Sequence, residues 1–150
     1  MDIRELTPGF AVSPQIGKED AASIAASGFC KVINNRPDGE EDGQPSSMTI
    51  MTAVSSQGVG YLHIPICGSD ISSRDITDFR NALQSAGGPV LAYCRSGMRS
   101  TKLWALREVE TRSVYDVIQI AARAGYDLTD FSDRLVQHAA EFKGASHENA

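Results

Sequence analysis

Short apolar segments alternate along this chain with segments whose apolar residues recur at helical spacing. Glycine, proline or polar residues separate the two kinds of segment. Strands that alternate with helices predict an α/β fold with a central, mostly parallel sheet of four to five strands flanked by helices. The predicted strands are 10–12, 30–34, 61–65 and 89–93, and the predicted helices are 18–27, 46–56, 73–85, one that begins near 98, 113–124 and 130–142.

Polar residues follow three of the predicted strands at the point where each strand ends. Asn35 and Arg36 follow the second strand, segment 67–70 follows the third, and segment 94–99 follows the fourth. In parallel sheets of this kind, ligands bind at the carboxyl ends of the strands. We therefore expect the three polar loops to converge at one edge of the sheet and to form the functional site there.

Length and charge restrict the class of protein. The chain has 150 residues and a net charge of −5, which indicates a single domain over 1–150 and argues against nucleic acid or an anionic membrane as a partner. We expect the tail after about 143 to be disordered. His63, His138 and His147 are too scattered to suggest a metal site.

Cysteine usage predicts the compartment. The chain has three cysteines, they form no CxxC pair, and no basic segment followed by an apolar block begins the sequence. A disulfide framework and a secretory signal are therefore not expected, and we predict a cytoplasmic protein.

The loop CRSGMRS carries the most specific chemistry in the sequence. It joins the fourth strand to a helix, so its amides and the positive end of the helix dipole can bind an anion and stabilise a thiolate at Cys94. Arg99 adds a charged donor fork suited to an oxyanion. A buried cysteine that only packs is the plain alternative. The predicted binding residues of the loop are Arg95, Ser96, Gly97 and Met98, with Arg99 at its end.

The same loop resembles the active loops of two enzyme groups. It is very similar to the loop of rhodanese-type sulfurtransferases, and it resembles the phosphate loop of cysteine-dependent phosphatases, in which five residues separate cysteine from arginine. Here four residues separate Cys94 from Arg99. Loop length alone favours the rhodanese, because a shorter loop forms a smaller anion site that suits a terminal sulfur better than a phosphate.

The rest of the chain resembles a phosphatase. The stretch AASIAASGFCKVINNRPDGE is similar to the opening of dual-specificity-type phosphatases, and SVYDVIQIAARAGYDL reads as a helix where a rhodanese continues into a strand. From about Leu6 to Phe131 the layout resembles the bacterial beta-lactamase hydrolase-like phosphatase domain family. That resemblance implies a cysteine phosphatase-like fold.

The resemblance also implies roles for individual residues. Cys94 matches the nucleophile that forms a phosphocysteine, Arg99 the phosphate-binding arginine, and Ser100 the hydroxyl that assists departure of the thiolate. Asp70 lies where the general acid belongs, with Asp75 as its rival. Tyr93 stands where many phosphatases carry histidine, so one support for the thiolate is missing.

Other residues near the predicted site keep two interpretations. Arg36 either helps to hold an anionic substrate or brace the cysteine loop, or makes a surface or structural ion pair. Cys67 either forms a protective disulfide with Cys94 or packs in its loop. The acidic run of Glu40, Glu41 and Asp42 is expected to solvate a loop, although near the site it would repel acidic phosphopeptides.

We therefore predict a phosphatase-like hydrolase of phosphomonoesters that needs no metal or organic cofactor. Its partner would be a phosphorylated small molecule or a phosphoprotein, and the sequence does not indicate an oligomeric state. The alternatives are a sulfurtransferase that carries a persulfide on Cys94, and a phosphate-binding module without catalysis.

Overall fold

A five-stranded sheet forms the centre of the computed structural model, which describes residues 1–148. The spatial order of the strands is β1-β2-β5-β3-β4. The strands are β1 (Arg4–Thr7), β2 (Phe10–Ser13), β3 (Lys31–Asn34), β4 (Gly60–His63) and β5 (Val90–Tyr93). The helices are α1 (Ala21–Ala26), α2 (Ser47–Ser56), α3 (Ser73–Ser85), α4 (Met98–Glu108), α5 (Val114–Arg123) and α6 (Ser132–Glu148), with 3₁₀ turns at Lys18–Asp20 and Thr129–Phe131.

The predicted α/β architecture is confirmed. Strands β2, β5, β3 and β4 run parallel, and β1 alone runs antiparallel to its neighbour β2. Strand β5 lies in the middle of the sheet, where Leu91 pairs with Ala11 on one side and with Val32 on the other. The loop that follows β5 therefore leaves the sheet at its centre, between the ends of the neighbouring strands.

Strand β1 was not predicted from the sequence. It has only four residues, and only Leu6 among them is buried, so its hydrophobic pattern is too weak to recognise. Gly9 adopts a φ of 84° in the turn that follows, which lets the chain reverse tightly into β2. Pairing with β2, rather than local preference, makes this edge segment a strand.

Apolar side chains cover both faces of the sheet. Along β5, Val90 and Ala92 belong to the core beneath α3 to α6, while Leu91 and Tyr93 belong to the core beneath α1 and α2. This alternation is the two-residue period of a strand buried on both faces. It brings the chain to Cys94, which is buried, at the carboxyl end of the central strand.

Helices alone follow the central strand. After α4 the described chain continues into α5 and α6 without another strand, as the sequence pattern predicts. Helix α6 runs to Glu148, past position 143 where we placed the start of the tail, and residues 149–150 lie outside the described part. No helix between residues 1 and 148 is long and apolar enough to cross a membrane.

Candidate active site

The three polar loops meet at the carboxyl edge of the sheet. The Asn35 amide donates to the Tyr93 carbonyl at 2.8 Å, and the Ile66 amide donates to the Asn35 carbonyl at 3.0 Å. Arg99 then reaches from the cysteine loop to the Ile66 carbonyl at 2.8 Å. These bonds tie the ends of β5, β3 and β4 into one site, as the strand order requires.

Cys94 lies at the base of this site with its sulfur held by its own loop. The Gly97 amide donates to the Cys94 Sγ at 3.1 Å. Gly97 has a φ of 97°, a left-handed conformation that glycine adopts without strain, and it begins helix α4. The Gly97 carbonyl accepts from the Thr101 amide and hydroxyl at 2.9 and 2.8 Å, which fixes the loop to the first turn of the helix.

The other residues of the cysteine loop differ in how far they are exposed to solvent. Arg95 and Ser96 are exposed, Gly97 is buried and Met98 is half-buried. The Gln15 amide donates to the Arg95 carbonyl at 3.2 Å. The Met98 amide donates to the Ser96 hydroxyl at 3.3 Å. The binding roles of these residues stay predictions.

Ser100 is fully buried beside the loop, and its hydroxyl donates to the Asn35 Oδ1 at 2.8 Å. Asn35 is held in that orientation because its side-chain amide donates to the Ile64 carbonyl at 2.9 Å. To assist departure of the thiolate, the Ser100 hydroxyl would have to turn from Asn35 towards Cys94. This role therefore stays a prediction.

Arg99 is paired with a carboxylate that the sequence did not assign to the site. Its Nη1 and Nη2 each donate to Glu40 at 2.8 Å, in a two-pronged ion pair. Only 14% of the Arg99 side chain is exposed, so the pair holds the guanidinium at a defined position above the loop.

Arg36 and Glu41 extend this ion-pair network. Arg36 is 1% exposed and donates from Nε to Glu40 and from Nη2 to Glu41, both at 2.9 Å. Glu41 also faces Arg95, with 3.6 Å between the charged atoms. Arg36 thus makes buried, structural ion pairs, and a role in holding substrate stays a prediction. The expectation that the acidic run only solvates a loop is wrong for Glu40 and Glu41, since they bind the three arginines of this edge.

A sequence signal for this pairing exists, although it is ambiguous. Glu40 and Glu41 follow Arg36 by four and five residues in a loop that leaves the end of a strand. Such a loop can fold back over its own arginine, but it can equally well face water. Only the position of Arg99, far away in the sequence, decides between the two.

Glu40 is the most strongly perturbed acid at this edge. Hydrogen bonds from Arg99, and then from Arg36, lower the pKa of Glu40 to about 2. The hydrogen bond from Arg36 likewise lowers the pKa of Glu41. Because the ionised form is favoured in the folded protein, Glu40 remains a carboxylate down to strongly acidic pH.

This perturbation predicts an acid dependence of stability. In the folded protein the pKa of Glu40 lies below the usual value of 4.5, so the contribution of its ion pairs to stability is complete above pH 4.5 and is lost as the pH falls towards 2. Urea unfolding at several pH values should show that the free energy of unfolding declines over this window, and that the decline is about 1 kcal/mol smaller in Glu40→Gln than in the unmodified protein. The exposed Asp42→Asn is the matched control. An equal decline in Glu40→Gln and in the unmodified protein would contradict the pairing.

The predicted acids Asp70 and Asp75 have different surroundings. Asp75 accepts from the Ser72 amide at 2.9 Å and closes the cap of α3, so its carboxylate is already engaged. Asp70 is exposed, and its amide donates to the Cys67 carbonyl at 3.1 Å in a tight turn. Lys102 of α4 holds the same turn through the Ser69 hydroxyl at 2.9 Å. Which of the two is the general acid stays a prediction.

The two cysteines at this edge of the sheet, Cys67 and Cys94, are both free thiols in the structure. Cys67 is exposed in the turn after β4, whereas Cys94 is 1% exposed. A disulfide between them stays a prediction. Among residues 1–148, no group of three or more histidine, cysteine or acidic side chains is placed to hold a metal ion.

A central parallel strand that ends in cysteine, a glycine loop that starts a helix, and an arginine at the end of that loop define a phosphatase-like α/β domain. A sequence model of the family "Beta-lactamase hydrolase-like protein, phosphatase-like domain" matches residues 2–111, and the chain belongs to this family. The predicted resemblance to this family is confirmed, whereas the similarity of the loop to rhodaneses is not tested by the match.

Individual relatives agree with this assignment. The beta-lactamase hydrolase-like protein of Xylella fastidiosa strain Temecula1 is 35% identical over 130 residues, which are 85% of this chain and 30% of that protein. The chain thus spans less than a third of the length of the curated relatives it matches.

Solved structures show the same architecture. A putative phosphatase from Neisseria meningitidis Z2491 superposes with a TM-score of 0.84 at 38% identity, over 92% of this chain and 99% of that one. A putative phosphatase from Shewanella putrefaciens CN-32 has a TM-score of 0.74 over 94% of this chain and 93% of that one. At 18% identity the second structure supports the fold alone.

Proposed function

We propose that this domain is a cysteine-dependent phosphatase that hydrolyses phosphomonoesters through a phosphocysteine intermediate. One observation carries the proposal: the Cys94 Sγ accepts the Gly97 amide at 3.1 Å at the start of α4, beneath a guanidinium held by Glu40. The pKa of Arg99 is raised, first by its hydrogen bond to Glu40 and then by its proximity to Cys94. The Cys94 sulfur and a fixed cation thus face the same small space.

The proposed reaction has two steps. The Cys94 thiolate attacks phosphorus, the S–P bond forms, and the P–O bond to the leaving group breaks while Asp70 gives its proton to the leaving oxygen. Water then attacks phosphorus and gives a proton to the Asp70 carboxylate. The S–P bond breaks, and inorganic phosphate and the Cys94 thiolate are released. No metal or organic cofactor enters either step.

Arg99 would hold the equatorial oxygens of the transferred phosphoryl group together with the loop amides. Glu40 shares this guanidinium, so substrate oxygens have to bind beside the carboxylate or displace it. The exposed Arg95 would add a weaker contact at the rim. We propose a phosphorylated small molecule or a phosphoprotein as substrate, and neither nucleic acid nor a membrane as partner.

The general acid can be tested through the leaving group. Asp70→Asn should slow hydrolysis of an alkyl phosphate by about 10²-fold, because an alkoxide needs a proton to depart. Hydrolysis of p-nitrophenyl phosphate should change much less, because p-nitrophenolate leaves without one. Asp75→Asn is the matched control, since asparagine can still cap α3. If both variants slow the two esters equally, Asp70 is not the acid.

The length of the cysteine loop supports a second candidate, a sulfurtransferase. Four residues separate Cys94 from Arg99, one fewer than in the usual phosphatase loop. In this reaction the Cys94 thiolate would take the outer sulfur of thiosulfate, the S–S bond would break, and sulfite would leave. Cyanide would then take the sulfur from the Cys94 persulfide and restore the thiolate, with no need for Asp70.

One preparation of the purified protein distinguishes the candidates. Saturable hydrolysis of p-nitrophenyl phosphate, without thiocyanate formation from thiosulfate and cyanide, would support the phosphatase. Thiocyanate formation without hydrolysis would overturn it in favour of the sulfurtransferase. If neither reaction occurs but phosphate still binds to Cys94→Ser, the domain is a binding module.

A further inference from the structure

One peptide group of the cysteine loop makes hydrogen bonds at both of its ends. The amide of the Ser96–Gly97 peptide donates to the Cys94 Sγ at 3.1 Å. The carbonyl of the same peptide accepts from the Tyr126 hydroxyl at 3.1 Å. Since no peptide bond in the described chain is cis, the N–H and C=O of this group point in opposite directions. Tyr126 and the sulfur are therefore hydrogen-bonded to opposite edges of one planar peptide group.

Tyr126 is built into this position from several directions. It is 7% exposed and lies between α5 and the 3₁₀ turn at Thr129–Phe131. A methyl group on Gly97 would clash with the Tyr126 hydroxyl, so the ring packs directly against the glycine. Arg4, on the edge strand β1, places its guanidinium 5.8 Å from the centre of the Tyr126 ring. Packing of the buried ring therefore holds the Tyr126 hydroxyl against the cysteine loop.

A hydrogen bond to a carbonyl polarises the peptide and strengthens the donor at its other end. We propose that Tyr126 is a positioning residue that acts through the Ser96–Gly97 peptide, holding its amide on Cys94 and favouring the thiolate form of this cysteine. This would add to the support that the loop amides, the helix dipole and Arg99 give the thiolate, since Tyr93 supplies no imidazole there.

The charged and titratable groups around Tyr126, the Ser96–Gly97 peptide and Cys94 are compatible with this role. Burial raises the pKa of Tyr126, so its hydroxyl stays protonated and remains a donor at neutral pH. Arg4, with Asp2 beside it, faces the ring from β1, whereas Arg99, with Glu40 beside it, faces Cys94 from α4. The hydrogen bond to the Ser96 carbonyl comes from the Tyr126 hydroxyl and not from any of these four charged groups.

The family assignment does not supply this role. The match to the family ends at residue 111, and Tyr126 lies beyond it. The inference rests on the proposed use of Cys94 as a nucleophile. It can nevertheless be tested without a phosphate ester, so its failure is distinguishable from a failure of the proposed function.

The test is the pH profile of Cys94 alkylation by iodoacetamide. This reagent is uncharged, so its rate reports the thiolate and not anion binding. Reaction should be followed by mass spectrometry on the peptide that contains Cys94, so that the exposed Cys30 and Cys67 do not contribute. Tyr126→Phe should react about threefold to tenfold more slowly near neutral pH and should need a higher pH for half-maximal rate.

Tyr115→Phe is the matched control, because this tyrosine is 71% exposed on α5 and the substitution removes the same atom. An unchanged profile in Tyr126→Phe would overturn the proposal even if the variant were less stable. Should Tyr126→Phe fail to fold, 3-fluorotyrosine at position 126 keeps the ring and donates more strongly. It should move the half-maximal rate to lower pH, and an unchanged profile would again overturn the proposal.

Discussion

Replacing Cys94 with serine is expected to abolish phosphate ester hydrolysis, with kcat reduced by about 10⁴-fold or more. Serine has nearly the same shape, but its hydroxyl is not ionised near neutral pH and is a much poorer nucleophile. The loop and the Arg99–Glu40 pair should remain intact. Steady-state hydrolysis of p-nitrophenyl phosphate measures the effect, and urea unfolding shows whether the fold is retained.

Cys67→Ser is the control for this substitution. Cys67 lies in an adjacent loop and is exposed, so its replacement should leave the hydrolysis rate nearly unchanged under reducing conditions. If Cys94→Ser retains more than a few per cent of the activity while folding normally, Cys94 is not the nucleophile. Loss of activity in both variants would instead point to a role for the cysteine pair.

Arg99→Ala is expected to have the second largest effect, lowering kcat/KM by about 10²- to 10³-fold. Removal of the guanidinium takes away the charge that would stabilise the transferred phosphoryl group. It also leaves Glu40 with only Arg36 as a partner, so a carboxylate would face the substrate with less compensation. Phosphate inhibition should weaken in parallel, because phosphate would use the same cation.

One variant at this position separates charge from geometry, and a variant of the neighbouring Arg95 is the matched control. Arg99→Lys keeps the charge but loses the two-pronged pairing with Glu40, so it should recover only part of the activity. Arg95→Ala should cost far less, because the Arg95 side chain is 70% exposed and its nearest acid, Glu41, is 3.6 Å away. Equal losses for Arg95→Ala and Arg99→Ala would contradict the assignment of Arg99.

Most of the sheet could be predicted because four of its strands are recognisable from their own local sequence. Strands β2 to β5 are short apolar segments between glycine or polar turns, and alternation with helices implies parallel pairing. Strand β1 could not be predicted, since it depends on pairing with β2 and has one buried residue, Leu6. Local pattern thus indicates central strands better than edge strands.

The candidate site could be predicted in part for a similar reason. Cys94 and Arg99 belong to one loop, and strand order alone brings them to the edge where Asn35 and Arg36 lie. The contacts of Glu40 and Tyr126 depend on pairing across distant parts of the chain. Glu40 meets a residue 59 positions away, and Tyr126 meets one 30 positions away. No local pattern distinguishes such residues from those of an ordinary loop.

The two enzyme resemblances differ in how much of the chain they use. The rhodanese resemblance rests on the sequence and length of one loop, CRSGMRS, whereas the phosphatase resemblance extends over the sheet and over the helices that follow α4. The match to residues 2–111 covers the sheet and α4 and ends before α5 begins. A loop of unusual length within a phosphatase-like fold is the reason to test both chemistries directly.

Trapping the covalent intermediate tests the central claim most directly. The protein should be mixed with p-nitrophenyl phosphate, quenched with acid during turnover, digested and analysed by mass spectrometry. The account predicts that the peptide containing Cys94 gains the mass of one phosphoryl group, and that Cys94→Ser does not. Hydrolysis that proceeds at full rate with no phosphoryl group on Cys94, in a preparation quenched early in turnover, would contradict it.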